Sequence, residues 1–297
     1  MPYATNGPVD LYFETFGAPG GETLLLVNGL GSQCVSFDVE LCQKFVDRGL
    51  FVIRFDNRDV GLSTKLDDFT PHLSDVTGAV REGRSAEVPY RLSDMANDAI
   101  AVLDELDVDM ANVVGVSLGG MIVQQLAIDH ASRVRSMTSI MSTTGDHDVG
   151  KASPEVAALF YAPPGHDRES VIARSQALEA LYTSPSEFDP SRTAQRVGDA
   201  YDRCFCPRGV ARQFAAVVAS GSRSEALRTV KVPTLVVHGE ADTLIDSSGG
   251  VRTAQCVAGA RFVSIEGMGH DLAPRYWDEI VEAICEHART ATRSADK

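Results

Sequence analysis

Apolar positions along this chain follow two periods that alternate. Val9-Asp10-Leu11-Tyr12-Phe13-Glu14-Thr15-Phe16 alternates apolar and polar sides, the period-2 pattern of a half-covered edge strand. Leu24-Leu25-Leu26-Val27 and Phe51-Val52-Ile53-Arg54-Phe55 are short continuous β-rich runs, as expected of strands covered on both faces. Between them, residues 36–48 change to helical spacing through Phe37, Leu41, Phe45 and Val46. A second helix is predicted over 92–106, with Met95, Ile100, Val102, Leu103 and Leu106 on its apolar face. Asn112-Val113-Val114 then leads into a Gly-rich turn, a helix over 119–130 and a strand near 136–141. The alternation resumes with a strand at 234–237, a helix near 249–257, a strand at 261–265 and a closing helix near 276–289. Residues 290–297 read as a frayed tail. Strands alternating with helices predict a parallel sheet with helices on both faces.

Residues 146–225 break that rhythm. They contain no convincing strand, and turn markers (Pro154, Pro163-Pro164-Gly165, Pro185, Pro190, Pro207) separate helical pieces. A stretch this long exceeds a simple βαβ connection, so it is expected to be a helical cap inserted between two strands. The core is then residues 1–145 and 226–297. Phe160, Tyr161, Tyr182, Phe205 and Phe214 of the insertion are candidates for an aromatic substrate pocket, although such residues also serve to pack a cap onto its core.

Composition narrows the function classes. Lys and Arg number 27 against 41 Asp and Glu, a net charge of −14, and no basic cluster is present. That argues against binding a phosphate backbone, so no nucleic-acid partner is expected. No run of 18 apolar residues exists to span a membrane, and the N-terminus has neither a basic start nor an apolar h-region. A cytoplasmic protein is the expectation. The six cysteines are scattered, and Cys204-Phe205-Cys206 lacks the spacing of a zinc knuckle, so reduced thiols and no metal are expected.

The chemistry is carried by Gly115-Val116-Ser117-Leu118-Gly119-Gly120, which lies between a strand and a helix. A serine in that sharp turn is forced into a strained backbone and projects its hydroxyl at a helix N-terminus, although a helix cap alone would also use a serine there. A nucleophilic serine needs a base, and the base needs an orienting acid. Downstream, Asp242 follows the strand 234–237 within His238-Gly239-Glu240-Ala241-Asp242 and is the leading acid; Asp146, Asp148 and Glu240 are alternatives. His270, in Gly267-Met268-Gly269-His270 beyond the next strand, is the leading base among seven histidines. Of the others, His72, His130 and His287 are expected to be solvated and His238 to be structural, while His147 and His166 fall where a substrate could touch them. Oxyanion stabilisation needs two N–H groups, expected from Leu118 and from Leu30 in Asn28-Gly29-Leu30-Gly31.

These segments, with Asp56-Asn57-Arg58-Asp59-Val60-Gly61-Leu62-Ser63, match the α/β-hydrolase superfamily in order and spacing over nearly the whole chain. The sequence resembles the actinobacterial esterases related to aclacinomycin methylesterase. That resemblance implies an α/β-hydrolase fold, with a mostly parallel eight-stranded sheet, helices on both faces and a helical cap. It also implies hydrolysis of a carboxylic ester, in the narrowest form a methyl ester on a bulky polycyclic acid. Asn28 departs from the pattern, standing where many relatives carry histidine; stabilisation by the Leu30 N–H is expected to survive. Arg58 and Asp56 are expected to be structural, bracing loops near the site as an Arg–Asp pair at a strand end does, with recognition of an acidic substrate as the alternative.

The expected function is therefore a cofactor-free serine esterase acting on a small-molecule ester of small or medium apolar character. Carbon–carbon bond hydrolases, cofactor-free haloperoxidases and acyltransferases use the same triad. A ligand receptor that kept the pocket without turnover is a further class, distinguished by binding without covalent labelling of Ser117.

Overall fold

The computed structural model describes residues 2–163 and 165–295. Eight strands form one sheet: β1 (Tyr3–Asn6), β2 (Val9–Phe16), β3 (Glu22–Val27), β4 (Leu50–Phe55), β5 (Ala111–Val116), β6 (Val134–Ile140), β7 (Thr234–Gly239) and β8 (Arg261–Ile265). Their order is β1-β2-β4-β3-β5-β6-β7-β8. The pairs β1/β2 and β2/β4 are antiparallel and the other five are parallel. The edge at the N-terminal side is β1, which was too short to show a period; β2 lies one place inward and is therefore covered more than its alternation suggested.

The central strands read as unbroken apolar runs because both faces are packed. Side chains alternate across the pleat. Leu25, Val27, Ile53 and Val113 join one core, with Met95, Leu103, Ile122 and Leu126 of the helices α3 (Leu92–Glu105) and α4 (Leu118–Asp129). Leu24, Leu26, Val52 and Val114 join the opposite core, with Phe45 of α1 (Val39–Val46) and Ile280 and Ile284 of the C-terminal helix. Each such leucine or isoleucine contributes about 1.5–3 kcal/mol by leaving water. Arg54 is tolerated inside β4 because Glu14 stands opposite it in the β2 register, 2.8 Å from its Nε, and Phe16 lies under its guanidinium.

Helix α2 (Leu73–Arg81) was not expected. Only Val76 and Ala79 of it are buried, too short an apolar stripe to stand out in the sequence. Between β6 and β7 the chain forms α5 (Pro154–Phe160), α6 (Arg168–Tyr182), α7 (Pro190–Arg203), α8 (Pro207–Ser220) and the short α9 (Ser224–Leu227), with Pro164 outside the described residues. Helices α5 to α8 begin where the prolines and the Ser153, Asp167 and Asp189 caps place them. The chain closes with α10 (Ser248–Cys256) and α11 (Trp277–Ala295). Helix α11 continues through residues 290–295, which were expected to fray; Ala291 packs at 4% exposure and holds that turn down. Residues 296–297 of the expected tail lie outside the described residues. Among the described residues, no helix is long and apolar enough to cross a membrane.

Candidate active site

Ser117 follows the last residue of β5 and is the N-cap position of α4. Its backbone is left-handed (φ 56°, ψ −115°), a conformation that costs a side-chain-bearing residue about 1–3 kcal/mol. Three bonds hold it there. The Ser117 N–H donates to the Ile140 carbonyl at 2.9 Å, and its own carbonyl accepts Met121 N–H at 3.2 Å and Ser142 Oγ–H at 2.7 Å. The tightness of the turn excludes side chains on both sides. A Cβ on Gly115 would stand 2.0 Å from the Gly119 carbonyl oxygen, and one on Gly119 would stand 2.0 Å from that of Val27.

His270 and Asp242 come together from the loops after β8 and β7. His270 Nδ1 lies 2.7 Å from Asp242 Oδ2, with the carboxylate wholly buried. The other oxygen, Oδ1, accepts the N–H groups of Leu244 and Ile245, both at 2.9 Å. His238, inside β7, donates from Nε2 to the Ile245 carbonyl at 2.8 Å and stands 3.4 Å from Asp242 Oδ2. Burial pushes the Asp242 carboxyl up, but the charge of His270 and the hydrogen bonds from His238, His270 and Ile245 outweigh it. The carboxyl is held well below the usual carboxylate range. The contact to the Asp242 carboxylate holds the imidazole of His270 in one orientation. The alternative acids are engaged elsewhere: Asp146 and Asp148 pair with Arg252, and Glu240 accepts from Ser264.

Ser117, His270, Leu30 and Leu118 line one cavity of about 490 Å³ at the carboxyl ends of the parallel strands, where sites of open α/β sheets form. Among the described residues, neither the Leu30 N–H nor the Leu118 N–H has an intramolecular acceptor. Phe160, Tyr161, Tyr182 and Phe214 also line it; the first two and Phe214 meet edge to face with centroids 5.3–6.1 Å apart. Phe205 does not. It lies outside the lining, 37% exposed and stacked on Tyr201 at 4.6 Å, because the loop joining α7 to α8 turns it outward. His147 and His166 are exposed and outside the lining, and His287 is half-buried, its Nε2 bonded to the Pro233 carbonyl, rather than solvated. Arg58 pairs with buried Asp98 and Asp56 with Arg203 at 2.8 Å, so the two do not pair with each other; Asp56 also accepts the Cys34 and Leu62 N–H groups and so braces those loops. Asn28 is pinned through its Nδ2 to the Phe55 carbonyl at 3.1 Å.

A model of the alpha/beta hydrolase fold family matches residues 22–273. The chain belongs to that family. The hydrolase is 31% identical to the rhodomycin D methylesterase DnrP of Streptomyces peucetius, over 97% of this chain and 98% of the relative. It is 29% identical to DauP, the rhodomycin D methylesterase of Streptomyces sp. strain C5, with the same coverage. Among solved structures, the meta-cleavage product hydrolase of Pseudomonas fluorescens IP01 superposes with a TM-score of 0.77 at 17% identity, covering 98% of each chain, a likeness of fold.

Sequence reasoning missed the charged part of the cavity wall. Arg192 and Arg196 stand one turn apart on α7 and both line the cavity. Arg192 Nη2 reaches Asp38 at 2.7 Å, and Arg196 pairs with Glu179 on α6. Their i, i+4 spacing was legible, but their partners are 154 and 17 residues away and only the fold joins them. Among the described residues, no group of three or more His, Cys, Asp or Glu side chains is placed to hold a metal ion.

Proposed function

We propose that this hydrolase cleaves a carboxylic ester through Ser117, His270 and Asp242. The observation that carries the reading is the 2.7 Å contact between His270 Nδ1 and buried Asp242, on the cavity that also holds Ser117 in its left-handed turn. His270 Nε2 takes the Ser117 proton as Oγ attacks the acyl carbon, and the N–H groups of Leu30 and Leu118 receive the developing oxyanion. The protonated imidazole, stabilised by Asp242, returns its proton to the leaving alkoxide. Water activated by the same nitrogen then releases the acid and restores the serine. The cavity volume suits a ligand of natural-product size, and its aromatic side suits a polycyclic acid. We assign a methyl ester of such an acid as the substrate class, in line with the methylesterases the chain resembles. Residues 146–225 serve as the cap over the site, and the six free thiols fit the reducing cytoplasm.

A series of p-nitrophenyl esters of increasing acyl length, with Ser117→Ala and His270→Ala as controls, tests the reading. Removing either group lowers kcat by at least about 10⁴-fold. Turnover that survives Ser117→Ala refutes it.

A further inference from the structure

Gln213 lies on α8 with no exposed surface, and both ends of its amide are engaged. Its Oε1 accepts the Gly31 N–H at 2.9 Å, and its Nε2 donates to the Arg58 carbonyl at 2.8 Å. The partners fix the orientation of the amide, since one offers only a donor and the other only an acceptor. They also sit on two different core loops, one after β3 and one after β4. Gly31 directly follows Leu30, which lines the cavity together with Ser117. The start of that turn is held by Asn28 on the Phe55 carbonyl and by Asn57 Nδ2 on the Asn28 carbonyl, each at 3.1 Å. Its middle is closed by Ser32 N–H on the Gly29 carbonyl at 3.2 Å. Among the described residues, Gln213 alone supplies a side-chain hydrogen bond to the main chain of residues 29–31.

We propose that Gln213 is a positioning residue for the oxyanion site, anchoring the Leu30–Gly31 peptide so that the Leu30 N–H stays aimed at the carbonyl being attacked. This rests on the reading in which Leu30 is a donor. With the Gly31 N–H fixed into α8, only the two backbone dihedrals of Leu30 separate the anchored peptide from the one that carries the donor. Gly31 itself is left-handed (φ 69°) and, being glycine, can leave that conformation at little cost, so the turn depends on its bond to Gln213 to keep this shape. A donor displaced by about 1 Å loses on the order of 10²-fold in rate, because the bond is strongest only as charge develops.

Two variants test this. Gln213→Met keeps the length and removes both hydrogen bonds; Gln213→Glu, kept protonated by its fully buried site, keeps an acceptor for Gly31 and an O–H donor for the Arg58 carbonyl. The Met variant is expected to lower kcat for p-nitrophenyl esters by about 10- to 100-fold, with KM within about threefold of wild type. Its affinity for phenylboronic acid, which forms a tetrahedral adduct on Ser117, should fall by a similar factor. The Glu variant should recover most of kcat, and it decides the matter if the Met variant does not fold. Amide exchange at residues 28–32 should quicken in the Met variant. A Met variant with a lowered melting temperature but wild-type kcat and boronate affinity overturns the proposal, as does a Glu variant no better than Met. Wild-type turnover that does not depend on Ser117 sinks the ester reading instead; the exchange rate at residues 28–32 still decides whether Gln213 anchors the turn.

Discussion

Arg212, next to Gln213 on α8, is completely buried, and its guanidinium meets the equally buried carboxylate of Asp59 at two points. Nε reaches Oδ2 at 2.9 Å and Nη2 reaches Oδ1 at 2.7 Å, while the remaining donors contact Asp67 Oδ1 at 3.0 Å and the Phe69 carbonyl at 3.1 Å. Arg212→Met keeps much of the stem and removes the charge. Asp59 is then left with the Leu66 N–H and the Tyr90 hydroxyl as donors. Breaking a buried pair from one side costs about 3–5 kcal/mol, because the surviving charge stays out of water. Neither Arg212 nor Asp59 touches solvent, so screening does not reduce that figure. In a chain of this size each kcal/mol moves the midpoint by roughly 2–3 °C, giving a fall of about 6–15 °C in thermal unfolding followed by circular dichroism. Asp59→Asn combined with Arg212→Met removes the stranded charge, so the double variant should be about 1–3 kcal/mol more stable than the sum of the singles predicts. A fall of less than about 2 °C for Arg212→Met, or strict additivity in the double variant, refutes the electrostatic reasoning.

Other consequences are as direct. Gly269→Ala places a Cβ 2.0 Å from the Tyr182 carbonyl oxygen, the same atom that accepts the His270 N–H at 2.8 Å; kcat should drop by about 10²-fold with an unchanged far-ultraviolet spectrum, and full turnover would show the contact to be soft. Phe214→Ala should raise KM for aromatic acyl groups by roughly 2- to 10-fold, while Phe205→Ala leaves kcat/KM within about twofold; equal effects would contradict the placement of the two rings. Burial pushes the Asp146 carboxyl up, but Ser222, Ser224 and Arg252 hold it down at about 2 against an ordinary 3.8. A depressed carboxyl stabilises the fold fully above about pH 4 and loses that contribution as pH falls toward 2, so the melting temperature of Asp146→Asn should depend less on pH between 5 and 2.5 than that of wild type.

What the sequence disclosed was local. The central strands announced themselves because both faces are packed, which removes polar positions from Leu24 to Val27 and from Leu50 to Ile53. The Ser117 turn was legible because its glycines are demanded by backbone contacts only a few residues or one strand away. Order along the chain nominated His270 and Asp242, which the fold brings to 2.7 Å. Features that depend on pairing across the chain were not legible. Arg58 and Asp56 are two residues apart, yet their partners are Asp98 on α3 and Arg203 on α7. Nothing in local spacing distinguishes Phe205, which faces outward, from Phe214 one helix later, which faces the cavity. Short elements with few buried positions, such as β1 and α2, likewise carry too little pattern to be seen.

The segment between β6 and β7 lines the cavity and also bonds to the loops that carry the site. Its α6 ends on the Tyr182 carbonyl that receives the His270 N–H, and the Tyr182 ring stands edge-on to the imidazole at 5.7 Å. Its α8 reaches the opposite wall, where Gln213 receives the Gly31 N–H and Arg212 locks onto Asp59. The same two helices supply Leu178, Phe214 and Val217 to the cavity. Side chains that would select a substrate are therefore carried on elements that also fix the backbone of the histidine loop and of the Leu30 turn. A substitution that shifts either helix to admit a larger ligand alters the geometry at Ser117 as well, so selectivity and rate should change together. Substitutions of cavity-facing side chains that leave Tyr182 O and Gln213 in place should separate them.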